Sequence, residues 1–96
     1  MELFIFARFH AREGKEAELA DLLGGQIRVT RGEPGCRMID AYRSTRDAQL
    51  FYIHSRWADE AAFEVHAALA NTNAFVARAE ALIDHPFDVT RARPLG

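Results

Sequence analysis

Four histidines and one tryptophan are the residues of this chain best suited to moving a proton or holding a planar ligand. His66 stands apart from the others. With Phe63, Ala67 and Ala70 it falls at the i, i+3, i+4, i+7 spacing that turns one helical face toward a core. An imidazole there without a hydrogen-bond partner costs about 1–3 kcal/mol. Two placements satisfy it: a core position bonded to a backbone carbonyl, or the wall of a pocket between helix and sheet, where it serves as a base. Trp57 ends a strand and aims at the same region. It is either core or an aromatic wall for a planar substrate, with one N–H to donate.

The remaining histidines suggest less chemistry. His10 and His85 flank turns and read as solvated. His54 shares a strand face with Tyr52 and Arg56, which suits a polar contact between subunits. No two histidines stand at i, i+4 and no carboxylate cluster accompanies them, so no metal site is expected. The single Cys36 excludes an internal disulfide and a cysteine-rich zinc site. Gly24-Gly25 lies inside a helical pattern rather than after a strand, so no phosphate- or dinucleotide-binding loop is present. A chain of 96 residues has no room for a separate flavin domain. An oxygenase of this size would draw its electrons from the substrate, and no cofactor is expected.

The elements that must position these groups follow from periodicity. Leu3 to His10 reads as a strand, with Leu3, Ile5, Ala7 and Phe9 on a wholly apolar face. Lys15 to Arg31 is an amphipathic helix with Ala20, Leu23 and Ile27 on its stripe and Leu19 and Leu22 beside it. Gly24-Gly25 predicts a break there or a close backbone contact. Gly32-Glu33-Pro34-Gly35 turns the chain. Cys36 to Arg46 and Leu50 to Trp57 form a hairpin, the second strand placing Phe51, Ile53, Ser55 and Trp57 on one face. Asp59 caps the next helix, Asn71-Thr72-Asn73 interrupts it, and Pro86 ends it. Phe87 to Arg93 is a last strand. The order is β-α-β-β-α-β, an α+β ferredoxin-like plan with a four-stranded antiparallel sheet. Helices cover one sheet face. Leu50, Tyr52 and part of the first strand leave apolar groups on the other, which a second copy would cover.

The whole chain, residues 1–96, makes one domain. A net charge of −2 with dispersed arginines gives no surface for nucleic acid. No apolar run reaches the roughly 20 residues that span a bilayer. The first residues carry the wrong charge for a signal peptide. The expected location is the cytoplasm.

Ala7, Gly14, the Glu33-Pro34-Gly35-Cys36 turn, Trp57 followed by Asp59-Glu60-Ala61, then His66 and Phe75 set a recognisable frame over essentially the entire chain. It resembles the antibiotic biosynthesis monooxygenase domain family, which includes small quinol monooxygenases. The resemblance implies a homodimeric α/β barrel with a pocket between each sheet and its own helices. It further implies oxidation of a quinol or polycyclic phenol by molecular oxygen. His66 would be base or proton shuttle and Asn71 an oxygen-orienting donor. Trp57 and Phe75 would be aromatic walls, with Phe51 and Phe63 also against the substrate. Two positions depart from the pattern. Ser55 stands where many members have Glu, and Asn71 where many have a second His; Asn can hydrogen-bond a phenolic oxygen but cannot act as a base near neutral pH. In haem-degrading members a first-strand Asn is needed, and Arg8 lies near that position. The alternative from another class is a dimeric module that binds a small apolar ligand and catalyses nothing; an isomerase or lyase using the same pocket is a third.

Overall fold

A computed structural model describes every residue from Met1 to Gly96. Alternating apolar residues build β1 (Leu3–His10), which lies at the centre of the sheet. Its neighbours are β3 (Leu50–Trp57) and β4 (Asp88–Ala92), and β2 (Cys36–Arg43) forms the edge beyond β3, giving the order β2-β3-β1-β4. Every pairing is antiparallel; Leu3 stands opposite Trp57, Phe9 opposite Phe51 and Ala7 opposite Val89. The expected faces hold: Leu3, Ile5, Ala7 and Phe9 are buried, as are Phe51, Ile53, Ser55 and Trp57. All eight point to the side covered by the helices. The fold is the ferredoxin-like βαββαβ plan, with its second helix divided.

Helix α1 (Glu16–Thr30) runs unbroken through Gly24-Gly25. Nothing lies within 4 Å of where a Cβ would stand on Gly25, and only the Arg28 guanidinium approaches that of Gly24. Neither expected reason for the pair, a break or a close contact, applies. The buried face is Leu19, Leu23, Gln26 and Thr30, rotated from the expected Ala20-Leu23-Ile27 stripe, whose outer members are only half-buried. The rotation carries two polar residues inward.

Asp59 caps α2 (Glu60–Ala68), its Oδ1 accepting the Ala62 N–H at 2.8 Å. The chain then breaks at Leu69, which is extended at φ −66° and ψ 142°, and α3 (Ala70–Glu80) begins. The break falls ahead of Asn71-Thr72-Asn73 rather than on it. In α3 the inward residues are Thr72, Phe75 and Ala79, at i, i+3, i+7. The main core packs Phe9, Leu19, Leu23, Phe51 and Phe75 between sheet and helices, and Leu3, Ile5 and Trp57 form a smaller cluster at the far end of β1. No helix is long and apolar enough to cross a membrane.

Candidate active site

A pocket of about 280 Å³ opens between the sheet and the helices, in the gap where α2 gives way to α3. Its walls are mainly apolar, with Phe9 from β1, Phe63 from α2, Phe75 from α3 and Phe87 just before β4. Against them runs a polar strip of Gln26, Thr30, Ser55, His66 and Thr72. Phe9 lies stacked on Phe87, centroids 4.9 Å apart, and meets Phe75 edge-on at 6.2 Å. Such aromatic pairs hold their rings in fixed planes. On the β4 side the Arg91 guanidinium lies 5.1 Å from the Phe63 ring centre and pairs with Glu60 and Glu64 of α2. That contact ties the sheet edge to the helix at the pocket wall.

The imidazole of His66 is the one titratable group lining this pocket. Its Nδ1–H donates to Oε1 of Glu33 at 2.6 Å, and the two side chains are only 13% and 11% exposed. A carboxylate can only accept, so a proton sits on Nδ1, and in the neutral ring Nε2 keeps its lone pair. No protein group bonds Nε2. Thr72 Oγ1 stands 3.5 Å from Nδ1, at the outer limit of a hydrogen bond. Behind the ring lies Trp57, fully buried, its centroid 4.7 Å from that of His66. The indole is itself fixed, since its N–H donates to Ser55 Oγ at 3.0 Å. The imidazole is thus held in position and in tautomer by a carboxylate on one side and an indole on the other.

Glu33 reaches His66 because of the turn that carries it. Gly35 has φ +81°, and a Cβ there would stand 2.5 Å from Cβ of Ala62 on α2. Only glycine takes that backbone conformation without strain and allows so close an approach. The turn between α1 and β2 therefore rests directly on α2, and Glu33 falls beside His66. The second carboxylate oxygen, Oε2, is buried without a protein partner. Cys36 follows as the first residue of β2. Burial first, and the Glu33 charge second, push its thiol up, so it stays protonated and makes a poor nucleophile.

The residues singled out in the sequence separate here. His66, Phe63 and Phe75 line the pocket, and Trp57 backs His66 without reaching the cavity. Phe51 does not line it: the side chain packs toward Ala20 and Leu23, capped by the Arg43 guanidinium at 5.1 Å. Asn71 is exposed and faces an outer groove with Asp21 and Arg78. The break at Leu69 starts a new helix whose inward phase falls on Thr72, one residue on, and turns Asn71 about 100° away. The Ser55 hydroxyl is engaged by Trp57. In the sequence Glu33 stands out only as part of a turn. Gln26 and Thr30, hydrogen-bonded to each other at 3.4 Å, had no assigned role. A signal for them existed: they continue the Leu19-Leu23 spacing with polar side chains.

A model of the antibiotic biosynthesis monooxygenase family matches residues 3–78. The chain is 31% identical over 91 residues to a Mycobacterium tuberculosis protein named "Putative monooxygenase Rv0793", covering 95% of this chain and 89% of that one. A Bacillus subtilis protein with the same style of name, YcnE, is 31% identical over 65 residues, 68% of each chain. The solved structure of Rv0793 superimposes with a TM-score of 0.93 at 28% identity, covering 100% of this chain and 97% of that one. The crystal structure of PA3566 from Pseudomonas aeruginosa gives 0.90 at 27% identity, covering 99% and 95%.

Proposed function

The chain belongs to the antibiotic biosynthesis monooxygenase family, and from that premise we propose that it oxidises a small quinol or phenol with molecular oxygen and no bound cofactor. The observation that carries this reading is His66 in the wall of an aromatic pocket, held by Glu33 behind it, with Nε2 of the imidazole free of protein partners. The substrate ring lies between Phe63, Phe75 and Phe87 with its hydroxyl toward His66. Nε2 takes the hydroxyl proton, and Glu33 stabilises the imidazolium that forms. The resulting phenolate is electron-rich enough to reduce dioxygen directly. One oxygen atom ends on a ring carbon and the other leaves as water; the substrate supplies every electron, and the ring product is a quinone. Gln26, Thr30 and Thr72 supply hydrogen bonds to the polar substituents. The volume, about 280 Å³, lies at the small end of ligand pockets, which favours one or two rings over an extended polycycle.

The active form on this reading is a homodimer. The sheet face away from the helices exposes Phe6, Tyr42 and Tyr52, with the His54 ring stacked on both Phe6 and Phe4. A contiguous aromatic patch flanked by Arg8 and Arg56 suits a self-complementary contact.

Oxygen uptake with a panel of substituted quinols and single-ring phenols tests the reaction, with isotopically labelled dioxygen and mass spectrometry of the product. The expected result is one labelled atom per product molecule. Saturable binding of the same compounds with no oxygen uptake would replace the enzyme by a ligand-binding module.

A further inference from the structure

At the end of the sheet opposite His66 the fold gathers three side chains that sequence spacing keeps apart. His10 ends β1, while Asp84 and His85 lie between α3 and β4. His10 Nδ1 donates to Asp84 Oδ2 at 2.7 Å, and His85 Nδ1 to Asp84 Oδ1 at 2.6 Å. The two imidazoles stack with centroids 5.8 Å apart, so both Nδ1 atoms converge on one carboxylate. One ligand atom from each of the three residues lies within 4.8 Å of the others. From these positions we propose that His10, Asp84 and His85 form a binding site for one divalent metal ion of the zinc type.

The chemistry fits that class of ion. Two imidazoles and a carboxylate are borderline donors of the kind zinc, nickel and copper(II) take, while calcium and magnesium prefer oxygen alone. The other nitrogen of His10, Nε2, faces Asp47 Oδ2 at 3.2 Å. A carboxylate in that place orients a ligating histidine and fixes Nδ1 as the atom offered to the metal. Tetrahedral zinc holds its donors roughly 3.3 Å apart, from bonds of about 2.0 Å. The side chains must close by about 1.5 Å at most, a rotation open to His85, whose side chain is half exposed. The ion replaces the protons that the two Nδ1 atoms now donate to Asp84, and solvent fills its remaining position.

The backbone around the cluster is already assembled. Asp84 N–H donates to His10 O at 3.0 Å and Arg12 N–H to Leu82 O at 2.8 Å, beside a bridge between Ala11 and Ile83. Gln49 joins the loop carrying Asp47 to the same strand: its side-chain amide donates to Ala11 O at 2.8 Å, and its carbonyl accepts the Ala11 N–H at 2.7 Å. A metal here would join β1 to the segment before β4 without reorganising either. It would not take part in the pocket chemistry, because none of His10, Asp84 and His85 lines that pocket.

The test uses the full chain without an affinity tag, first stripped with chelator and then titrated with zinc chloride in a calorimeter. The expected result is one zinc per chain. Zinc at about a hundred times its Kd should raise Tm by roughly 10 °C. His85→Ala should weaken binding more than about tenfold while melting like the parent without zinc, since the His85 side chain is half exposed and hydrogen-bonds only its neighbour Asp84. Asp84→Asn should weaken it likewise. The NMR ring-proton signals of His10 and His85 should shift on zinc addition, those of His54 and His66 stay in place. No heat at millimolar zinc would overturn the assignment, as would equal binding by His85→Ala or a shift confined to His66.

Discussion

Glu33→Gln tests the pair at the centre of the proposed site with the smallest change of shape. Glu33 accepts from His66 Nδ1 at 2.6 Å, and neither side chain is more than 13% exposed. Gln keeps the volume, and its amide oxygen can still accept that N–H, so the imidazole stays in place. What goes is the charge. A charge-assisted hydrogen bond contributes about 1–2 kcal/mol more than a neutral one, and the excess matters when His66 becomes an imidazolium in the transition state. The expected effect is a fall in kcat of roughly 5–30-fold. KM should hardly change, because Glu33 does not line the pocket. His66→Ala should do two things at once. Turnover falls roughly 10²–10⁴-fold with the base gone. Stability falls by about 3 kcal/mol, because the Glu33 carboxylate is left buried and unpaired. Combining the two should restore more than about 1 kcal/mol relative to His66→Ala alone, since the double variant buries no orphan charge. Oxygen uptake at saturating quinol gives kcat, and urea unfolding of the same preparations gives stability. An unchanged kcat in Glu33→Gln, or a double variant less stable than His66→Ala, would refute the coupling.

Asn71→Ala should leave activity within about twofold and stability within about 0.5 kcal/mol, as for an exposed residue, whereas Thr72→Val should lower quinol turnover measurably; the reverse order would return Asn71 to the site. Gly35→Ala adds left-handed strain to a collision with Ala62 and should cost about 2–5 kcal/mol in urea unfolding. A variant within 1 kcal/mol of the parent would show that the turn can move off α2. Light scattering should give a dimer at micromolar concentration and a monomer for Phe6→Glu, the ring that is 48% exposed on the open sheet face; a monomeric parent would refute the dimer. The purified chain should show no haem or flavin absorption band, and one at a molar ratio near unity would contradict electron supply by the substrate.

Periodicity alone determined most of the framework. Alternation in Leu3–His10 and Leu50–Trp57 assigned the buried faces residue by residue, because a strand's side chains alternate whatever else surrounds it. Asp59 was legible as a cap for the same reason: the bond it makes is local. His66 was visible as a polar residue on an apolar stripe, but which of its two placements holds was not. The answer depended on Glu33, 33 residues earlier, and so on a glycine turn resting against α2. The clustering of His10, Asp84 and His85 is not legible from spacing, because groups shared between strand β1 and the segment before β4 have no fixed interval in the chain. Asn71 enters only through the family resemblance, and the helix that restarts after Leu69 turns it outward. Local patterns fix which way a side chain points within its own element; how distant elements dock, and where a helix restarts, is decided by packing across the whole fold, and that is where the partners of His66 are chosen.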